Sequence, residues 1–477
     1  MTPALSRRTL LLGAGAAVLL GGCSHRANNR PVAPGTPTAE ARVDTVDELL
    51  ASPRFLVAHR GSGDSWPEHT QAAYLNALAA GASAVEISVR RTADGVLVCH
   101  HDEDTRRTTG KKGKLADLRY ADLADRPVDA RAWLGPAAEL EPIPKLADVL
   151  AALPAEALVF IEDKDGSNTQ ELLDLIERQQ RATERFVWKQ WAGAAQVQAA
   201  AERGFRAWGF LTEELLPRMA SLAPKFDALG IGTEQSDAVI DRVVALGKPV
   251  MAWEVHRRSE RERLRRLGVA GLMCSNVPYL LAQAPAAGRD TFGDGLRGAG
   301  DLPMITNLSW TQQPKIDPKA GTLTLAKPTE GLTYTMGSVC PLPAQRYHLT
   351  ATLAWVDDPS DRAAGVAFAA ESDAPYFPDR RNDFGAYQVR LNPDGSIDLC
   401  EHPVGWPKAR VLGSLPATKL AKGQPVRMVI SVTPYQIGVR RAGSSGEILV
   451  SEMNHRGGYV HLWSQGPAVR FSGIVVS

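Results

Sequence analysis

The 477-residue chain has almost no net charge: 54 lysines and arginines stand against 53 aspartates and glutamates, a formal +1. It lacks a polybasic tail and an acidic tract, which argues against a nucleic-acid partner. Cysteine is scarce, five residues in all, and the spacing of Cys99, Cys274, Cys340 and Cys400 matches no zinc site. The apolar run 10–20 is too short to cross the roughly 30 Å hydrocarbon core of a bilayer as a helix. What is present is a globular composition, with 44% hydrophobic and 22% charged residues. The length exceeds what one hydrophobic core organises, so at least two domains are expected.

Ser6-Arg7-Arg8-Thr9-Leu10-Leu11 sets paired arginines directly before that apolar run, and resembles a twin-arginine export signal. Leu20-Gly21-Gly22-Cys23 resembles a bacterial lipobox in which Cys23 is acylated. An ordinary signal peptide with an incidental cysteine is the alternative. The expectation is an exported protein on the outer face of the membrane or in the cell envelope, held by a lipid anchor at Cys23. Residues 24–42, rich in Pro, Ala, Asn and Thr, read as a flexible tether. Export permits oxidation, and Cys340 with Cys400 is the expected pair if a disulfide forms.

From residue 55 to about 283, short β-branched or aromatic runs alternate with amphipathic segments, the pattern of a parallel sheet with crossover helices. Strands are expected at 55–59, 84–89, 158–162, 186–190, 207–211, 228–231, 250–255 and 271–274. Helices are expected at 70–80, 169–181, 192–203, 213–222, 236–246 and 259–267. Eight such units indicate an α/β fold of the (β/α)8 TIM-barrel type over residues 43–284, with a doubly wound open sheet as the alternative. An Ala/Gly-rich linker is expected at 285–303. Residues 304–477 then change style to short alternating strands separated by turns, an all-β sandwich pattern.

A barrel places its chemistry at the C-terminal ends of its strands. His59-Arg60-Gly61 ends the first strand; Pro67-Glu68-His69-Thr70, Glu86, Asp94-Gly95, His101-Asp102, Arg107-Thr108-Thr109-Gly110 and Glu162-Asp163-Lys164 follow. A histidine at a strand end is by itself more often structural than catalytic; the order and spacing of the whole series reverse those odds. This series closely resembles the glycerophosphodiester phosphodiesterase family, across essentially all of residues 55–278. The resemblance implies a (β/α)8 barrel with His59 and His101 as acid and base on a phosphodiester. It implies Glu86 and Glu162 as ligands of a divalent cation, and Arg60 and Lys164 as phosphate-binding groups. Ala252-Trp253-Glu254-Val255 and Cys274-Ser275-Asn276-Val277-Pro278 match the family's last two strands.

Independently of the family, cleaving a phosphodiester requires charge neutralisation on its non-bridging oxygens and a proton for the leaving alkoxide. Two histidines exchange those proton roles, and carboxylate ligands favour a hard ion, Mg2+ or Ca2+. One departure stands out: the family usually shows Glu-x-Asp on the second strand, and this chain has Glu86-Ile87-Ser88. Alternation puts Ser88 on the same face as Glu86, in a ligand's place, with a hydroxyl that is a poorer partner for a cation. The ion would then rest on Glu86, Glu162, a water on Ser88 and another acid such as Glu254 or Asp163; weakened binding or lost activity are the alternatives.

Glu68 reads either as an ion-pair partner that orients Arg60 or as part of the start of a helix capped by Thr70. Lys189 and Glu234 end later strands and read either as substrate-facing groups or, the commoner outcome, as solvated rim charges. His256 and the run 257–266 read as a solvated helix face, with attraction to a phosphate polymer as the lesser alternative. The C-terminal half resembles lectin- or glucanase-like jelly-roll modules, on Tyr387-Gln388-Val389-Arg390-Leu391, Asp394-Gly395-Ser396 and the closing segment 469–476. Trp310, Trp355, Trp406 and Trp463 read either as sugar-stacking residues on cell-envelope glycan or as core. The expected function is an exported hydrolase of glycerophosphodiesters, small or polymeric; the alternative is a catalytically impaired, envelope-binding descendant.

Overall fold

The structure is a computed structural model that describes residues 43–477, apart from 283–287, 304–312, 326–331, 343–345, 360, 452 and 467. The export signal, the tether, Cys23 and Trp310 lie outside the described residues.

Eight parallel strands close into a barrel: β1 (Phe55–Ala58), β2 (Ala84–Arg91), β4 (Val159–Asp163), β5 (Phe186–Trp191), β6 (Arg206–Leu211), β7 (Ala228–Gly232), β8 (Val250–Val255) and β9 (Gly271–Cys274). A short β3 (Leu97–Cys99) runs antiparallel on β2. Closure comes from β1, which pairs with β9 on one side and β2 on the other. All eight expected barrel strands form. Among the helices, the segment expected at 192–203 is helical only over Val197–Glu202, and Pro217 breaks 213–222 into 3-10 turns before the helix Met219–Leu222.

The period of two along each strand positions the site. Inward-facing residues begin as an apolar layer, with Phe55, Val57, Ala84, Leu158, Phe160, Val187, Trp208, Ala228, Met251 and Met273 in one buried cluster. The helix Val46–Ala51, capped by Thr45 with Glu48 answering from N3, closes the base of this layer with Val46, Leu49 and Leu50. Two residues further up five of the strands the same inward register becomes polar: Val57 leads to His59, Ala84 to Glu86 and Ser88, Phe160 to Glu162, Val187 to Lys189 and Met273 to Ser275, while β6, β7 and β8 continue with Phe210, Gly230 and Trp253. The outward register, including Leu56, Val85, Ile87, Val159 and Ile161, packs with the helices in a second core. The site thus sits on the C-terminal side of an apolar barrel interior.

The C-terminal region consists of two antiparallel sheets. One has as its central strands Thr322–Leu325, Val469–Val476, Tyr347–Trp355, Val426–Val432 and Ile437–Arg441; the other has Leu332–Met336, Tyr459–Ser464, Ala364–Ala370, Ala386–Leu391, Ile397–His402 and Arg410–Leu415. A single apolar core draws on both, with Leu323, Leu349, Met428 and Phe471 from the first and Val366, Tyr387, Leu399 and Leu462 from the second. Two pieces of the stretch read as a linker also join sheets: Gly288–Arg289 pairs with the last strand, and Asp301–Pro303 with Leu332–Met336. Trp355 and Trp463 are buried in the sandwich, and Trp406 is half exposed. No disulfide joins Cys340 and Cys400; both are free, buried thiols, and Cys340 Sγ accepts the Val460 N–H at 3.0 Å.

The run expected as a solvated helix face is instead partly a joint. His256, Arg257 and Arg258 are buried. The buried Asp373 carboxylate of the sandwich accepts the backbone N–H groups of Arg258 at 2.7 Å and Ser259 at 2.9 Å, capping the helix Arg258–Arg266 of the barrel. Tyr279 donates to the same carboxylate at 2.9 Å, and the Arg258 guanidinium lies 4.3 Å over the Tyr279 ring. A charge run looks solvated in sequence because the carboxylate and carbonyls that bury it lie far away along the chain.

Candidate functional site

β1 ends in a tight turn, His59–Gly61, in which Arg60 takes a left-handed φ of 53°. Such backbone costs a non-glycine residue about 1–2 kcal/mol. It is held by the Arg60 N–H, which donates to Glu86 Oε2 at 2.9 Å. Gly61 has no alternative, since a Cβ there would lie 2.8 Å from that of Ala73. The turn leaves His59 buried, with Nδ1 3.0 Å from Glu254 Oε1 and 3.1 Å from Ser275 Oγ; the Ser275 hydroxyl also donates to Glu254. A carboxylate at Nδ1 assigns the ring proton to that atom and leaves Nε2 for a ligand.

His101 follows β3 and is anchored in the same way. Its Nδ1 lies 2.8 Å from Asp102 Oδ1, and Arg107 Nε donates to Asp102 Oδ2 at 2.6 Å. Burial pushes the imidazole pKa down, to about 4; the Asp102 hydrogen bond opposes the fall, and the charges of Arg60, Lys164 and Lys189 add to it. The neighbouring His100 is different, with Nδ1 2.8 Å from the Asp102 carbonyl and Nε2 2.9 Å from Thr108 Oγ1.

Of the two readings of Glu68, the ion pair is the one its carboxylate makes. Its carboxylate accepts from Arg107 at 2.7 and 2.5 Å and lies 3.3 Å from Arg60, while Thr70 caps the helix Gln71–Ala79 through the Ala73 N–H at 3.1 Å. Burial alone would raise the Glu68 pKa; Arg60 and Arg107 outweigh it and hold the group well below the carboxylate range.

Glu86, Ser88 and Glu162 converge, and Lys189 stands among them. Its ammonium donates to Glu86 Oε1 at 2.7 Å and to Glu162 Oε2 at 2.6 Å, and the lysine is only 6% exposed. Of the two readings of Lys189 the solvated rim charge fails, since the side chain is buried inside the barrel, while Glu234 is exposed. The Ser88 hydroxyl donates to Glu86 Oε1 at 3.0 Å, and Lys164 donates to Glu162 Oε1 at 3.1 Å. Burial would lower the Lys189 pKa, but Glu162 and Glu86 raise it above its ordinary value, so the group is an ammonium. Removing it would strand two buried carboxylates, a loss of about 3–5 kcal/mol. The signal for Lys189 was in the sequence: it lies two residues beyond the inward-facing Val187.

His69, which the motif Pro67-Glu68-His69-Thr70 contained without a role of its own, is a third histidine of the region. It is 1% exposed, at φ 57°, with Nδ1 2.7 Å from Tyr74 Oη and Nε2 buried without a hydrogen-bond partner. Burial drives its pKa well down, so it is neutral. Glu254 and Asp163 are both committed elsewhere. Glu254 serves His59, and Asp163 accepts the Asn168 N–H at 2.8 Å and the Thr169 hydroxyl at 3.0 Å at the start of Thr169–Glu177.

This donor set does not fit a resident divalent cation. All four oxygens of Glu86 and Glu162 accept from Arg60, Ser88, Lys164 or Lys189. Among the described residues no group of three or more His, Cys, Asp or Glu is arranged to hold a metal ion. The mouth of the barrel instead offers two anchored imidazoles beside Arg60, Lys164 and Lys189, a combination suited to proton transfer at an anionic ester.

The glycerophosphoryl diester phosphodiesterase family model matches residues 59–277. A curated relative from Mycobacterium tuberculosis, named as a probable glycerophosphodiester phosphodiesterase 1, is 32% identical over 246 residues, covering 47% of this chain and 90% of the relative. A glycerophosphodiester phosphodiesterase from Caldanaerobacter subterraneus is 26% identical over 235 residues, 48% of this chain and 96% of the relative. Among solved structures, an Oleispira antarctica phosphodiesterase in complex with the product sn-glycerol-3-phosphate matches with a TM-score of 0.42 and 18% identity, covering 48% of this chain and 96% of that one.

Proposed function

The chain belongs to the glycerophosphoryl diester phosphodiesterase family and is a phosphoric diester hydrolase, and from that premise we propose that His59 and His101 are its acid and base. The observation that carries this is shared by the two rings. Each has Nδ1 on a carboxylate, Glu254 or Asp102, which leaves Nε2 to face a substrate. Neutral His101 takes a proton from water as the water oxygen bonds to phosphorus. The phosphorus–oxygen bond to the alcohol breaks, and doubly protonated His59, its charge balanced by Glu254, gives a proton to the leaving oxygen. Glycerol phosphate and an alcohol result. Arg60, oriented by Glu68, and Lys164 hold the non-bridging oxygens.

Enzymes of this family are generally divalent-cation dependent. The residues that would hold Mg2+ or Ca2+ here are Glu86 and Glu162 with Ser88, and their oxygens are engaged with the chain's own cations, so no step above is routed through a metal.

Export and lipid anchoring at Cys23 belong to the same proposal, supported by the Arg7-Arg8 and Leu20–Cys23 motifs. A glycan-positioning role for the C-terminal sheets is supported by the half-exposed Trp406. No described helix is long and apolar enough to cross a membrane. A product assay over deacylated phospholipids, lysophospholipids and glycerol-phosphate polymers tests the function. Release of glycerol phosphate from at least one class, lost in His59→Ala and His101→Ala, is expected. No release from any class would favour the impaired, envelope-binding alternative.

A further inference from the structure

The barrel places a lysine where a carboxylate-bound ion would sit. A Ca2+ ion lies about 2.3–2.6 Å from its carboxylate oxygens; the Lys189 nitrogen lies 2.7 Å from Glu86 Oε1 and 2.6 Å from Glu162 Oε2. Position and partners are those of the expected cation.

Three further observations agree. The position two residues after Glu86, where a third carboxylate would complete an ion's ligands, holds Ser88, and its hydroxyl is spent as a donor to Glu86 Oε1. One negative charge is thus lost on β2 and one positive charge gained on β5. The local sum is closed, because Glu86 and Glu162 are matched by Lys189 and Lys164. A divalent ion added there would meet an ammonium already seated between its two ligands, in a site where Glu86 is fully buried and Glu162 and Lys189 nearly so.

We propose that Lys189 replaces the divalent cation of this site, so that the chain cleaves its phosphodiester with a built-in ammonium and no bound metal. An ammonium has three N–H donors, and the carboxylates take two. The third is left for a non-bridging phosphate oxygen, beside Lys164 and Arg60. The lysine supplies the fixed positive charge that an ion would supply, at a position set by β5 rather than by ion concentration. The consequence concerns the environment of the enzyme: its activity is indifferent to free Mg2+ and Ca2+ and survives chelators. The inference rests on the phosphodiesterase reading for its catalytic part, while its structural part, that Glu86 and Glu162 bind no divalent ion, stands alone.

The test uses the full chain, with two readouts. Calorimetric titration with Mg2+ and with Ca2+ reads binding directly, and glycerophosphodiester hydrolysis is followed in EDTA and in each metal. Wild type is expected to bind neither ion at this site and to hydrolyse within about twofold of the same rate in EDTA and in metal. Lys189→Gln is expected to lose about 100-fold or more in EDTA, the scale for removing one electrostatic donor from a transition state. Lys189→Arg, which keeps the charge, should retain metal-independent turnover at a reduced rate. Ser88→Asp combined with Lys189→Gln rebuilds three carboxylates, and should gain both ion binding and ion-dependent hydrolysis. Wild-type binding of either ion that Glu86→Gln abolishes, or wild-type turnover that EDTA removes and metal restores, would overturn the proposal. A wild type that binds no ion and hydrolyses nothing would sink the phosphodiesterase reading and leave the replacement of the ion supported.

Discussion

Both halves of the molecule bury histidines, and His461 and His402 of the sandwich are held in the opposite way to His59 and His101 of the barrel. In the sandwich, His461 has Nδ1 3.1 Å from Thr335 Oγ1 and Nε2 3.0 Å from the Ser372 carbonyl; His402 has Nδ1 3.0 Å from Tyr376 Oη and Nε2 2.9 Å from the Trp406 carbonyl. Both ring nitrogens are spent on neutral partners, as they are for His100 in the barrel. At the barrel mouth His59 and His101 each spend one nitrogen, on a carboxylate, beside three cationic side chains. Burial and a shifted pKa therefore do not distinguish a site from a scaffold: His461 and His101 are both pushed down to about 4. What distinguishes them is the ring nitrogen left over and the charge around it.

The largest expected effect would break this comparison outright if it failed. Replacing either His59 or His101 by alanine should lower hydrolysis about 10^3-fold, within the range for loss of a general acid or base. His461→Phe should instead leave hydrolysis within about twofold and lower stability by about 1–3 kcal/mol, because it strands buried polar partners. Thermal unfolding beside the rate assay separates the two outcomes, and a large rate loss in His461→Phe would show that satisfied ring nitrogens are no guide to function.

A smaller effect sharpens the role of the joint between the halves. Asp373→Ala leaves two buried N–H groups at the start of Arg258–Arg266 without their acceptor. Denaturant unfolding should show a loss of about 2–4 kcal/mol. Hydrolysis at a temperature where the fold holds should be unchanged; a rate loss there would show that the joint also serves the site.

The acid limb of kcat/KM is a further check. A base must be neutral to accept a proton, so a histidine held near pH 4 keeps its activity as pH falls through the usual histidine range near 6.5 and loses it only on approaching 4. An acid limb centred near 6.5 would mean that His101 is not the base of the free enzyme. Smallest of all is Trp406→Ala. The side chain is half exposed, so stability should move by no more than about 0.5 kcal/mol. Loss of envelope-glycan retention in a pull-down would give the sandwich a ligand; unchanged retention would leave Trp406 without one.

The barrel was legible in the sequence because closed parallel sheets repeat one rule, short apolar strands buried on both faces alternating with amphipathic helices. Alternation along the strand bears on Lys189 as well, since Val187 and Lys189 share the inward register; it favours the substrate-facing reading over the commoner one of a solvated strand-end charge. His69 left no comparable trace, because its burial depends on a left-handed turn and on Tyr74. The buried start of Arg258–Arg266 was hidden for another reason: its partner Asp373 is more than 100 residues away, and a charge run gives no sign of a remote carboxylate. In the sandwich, Arg410–Leu415 is largely exposed and carries Gly413, and so lacks the alternation that marks a half-buried strand.

The central claim is that His59 and His101 act as one acid–base unit, and a double-mutant cycle on glycerophosphodiester hydrolysis tests it most directly. Residues that act as a unit are strongly non-additive. His59→Ala, His101→Ala and the double variant are therefore predicted to lose similar activity, each about 10^3-fold. Losses that multiply in the double variant, or either single variant turning over near the wild-type rate, would contradict the account.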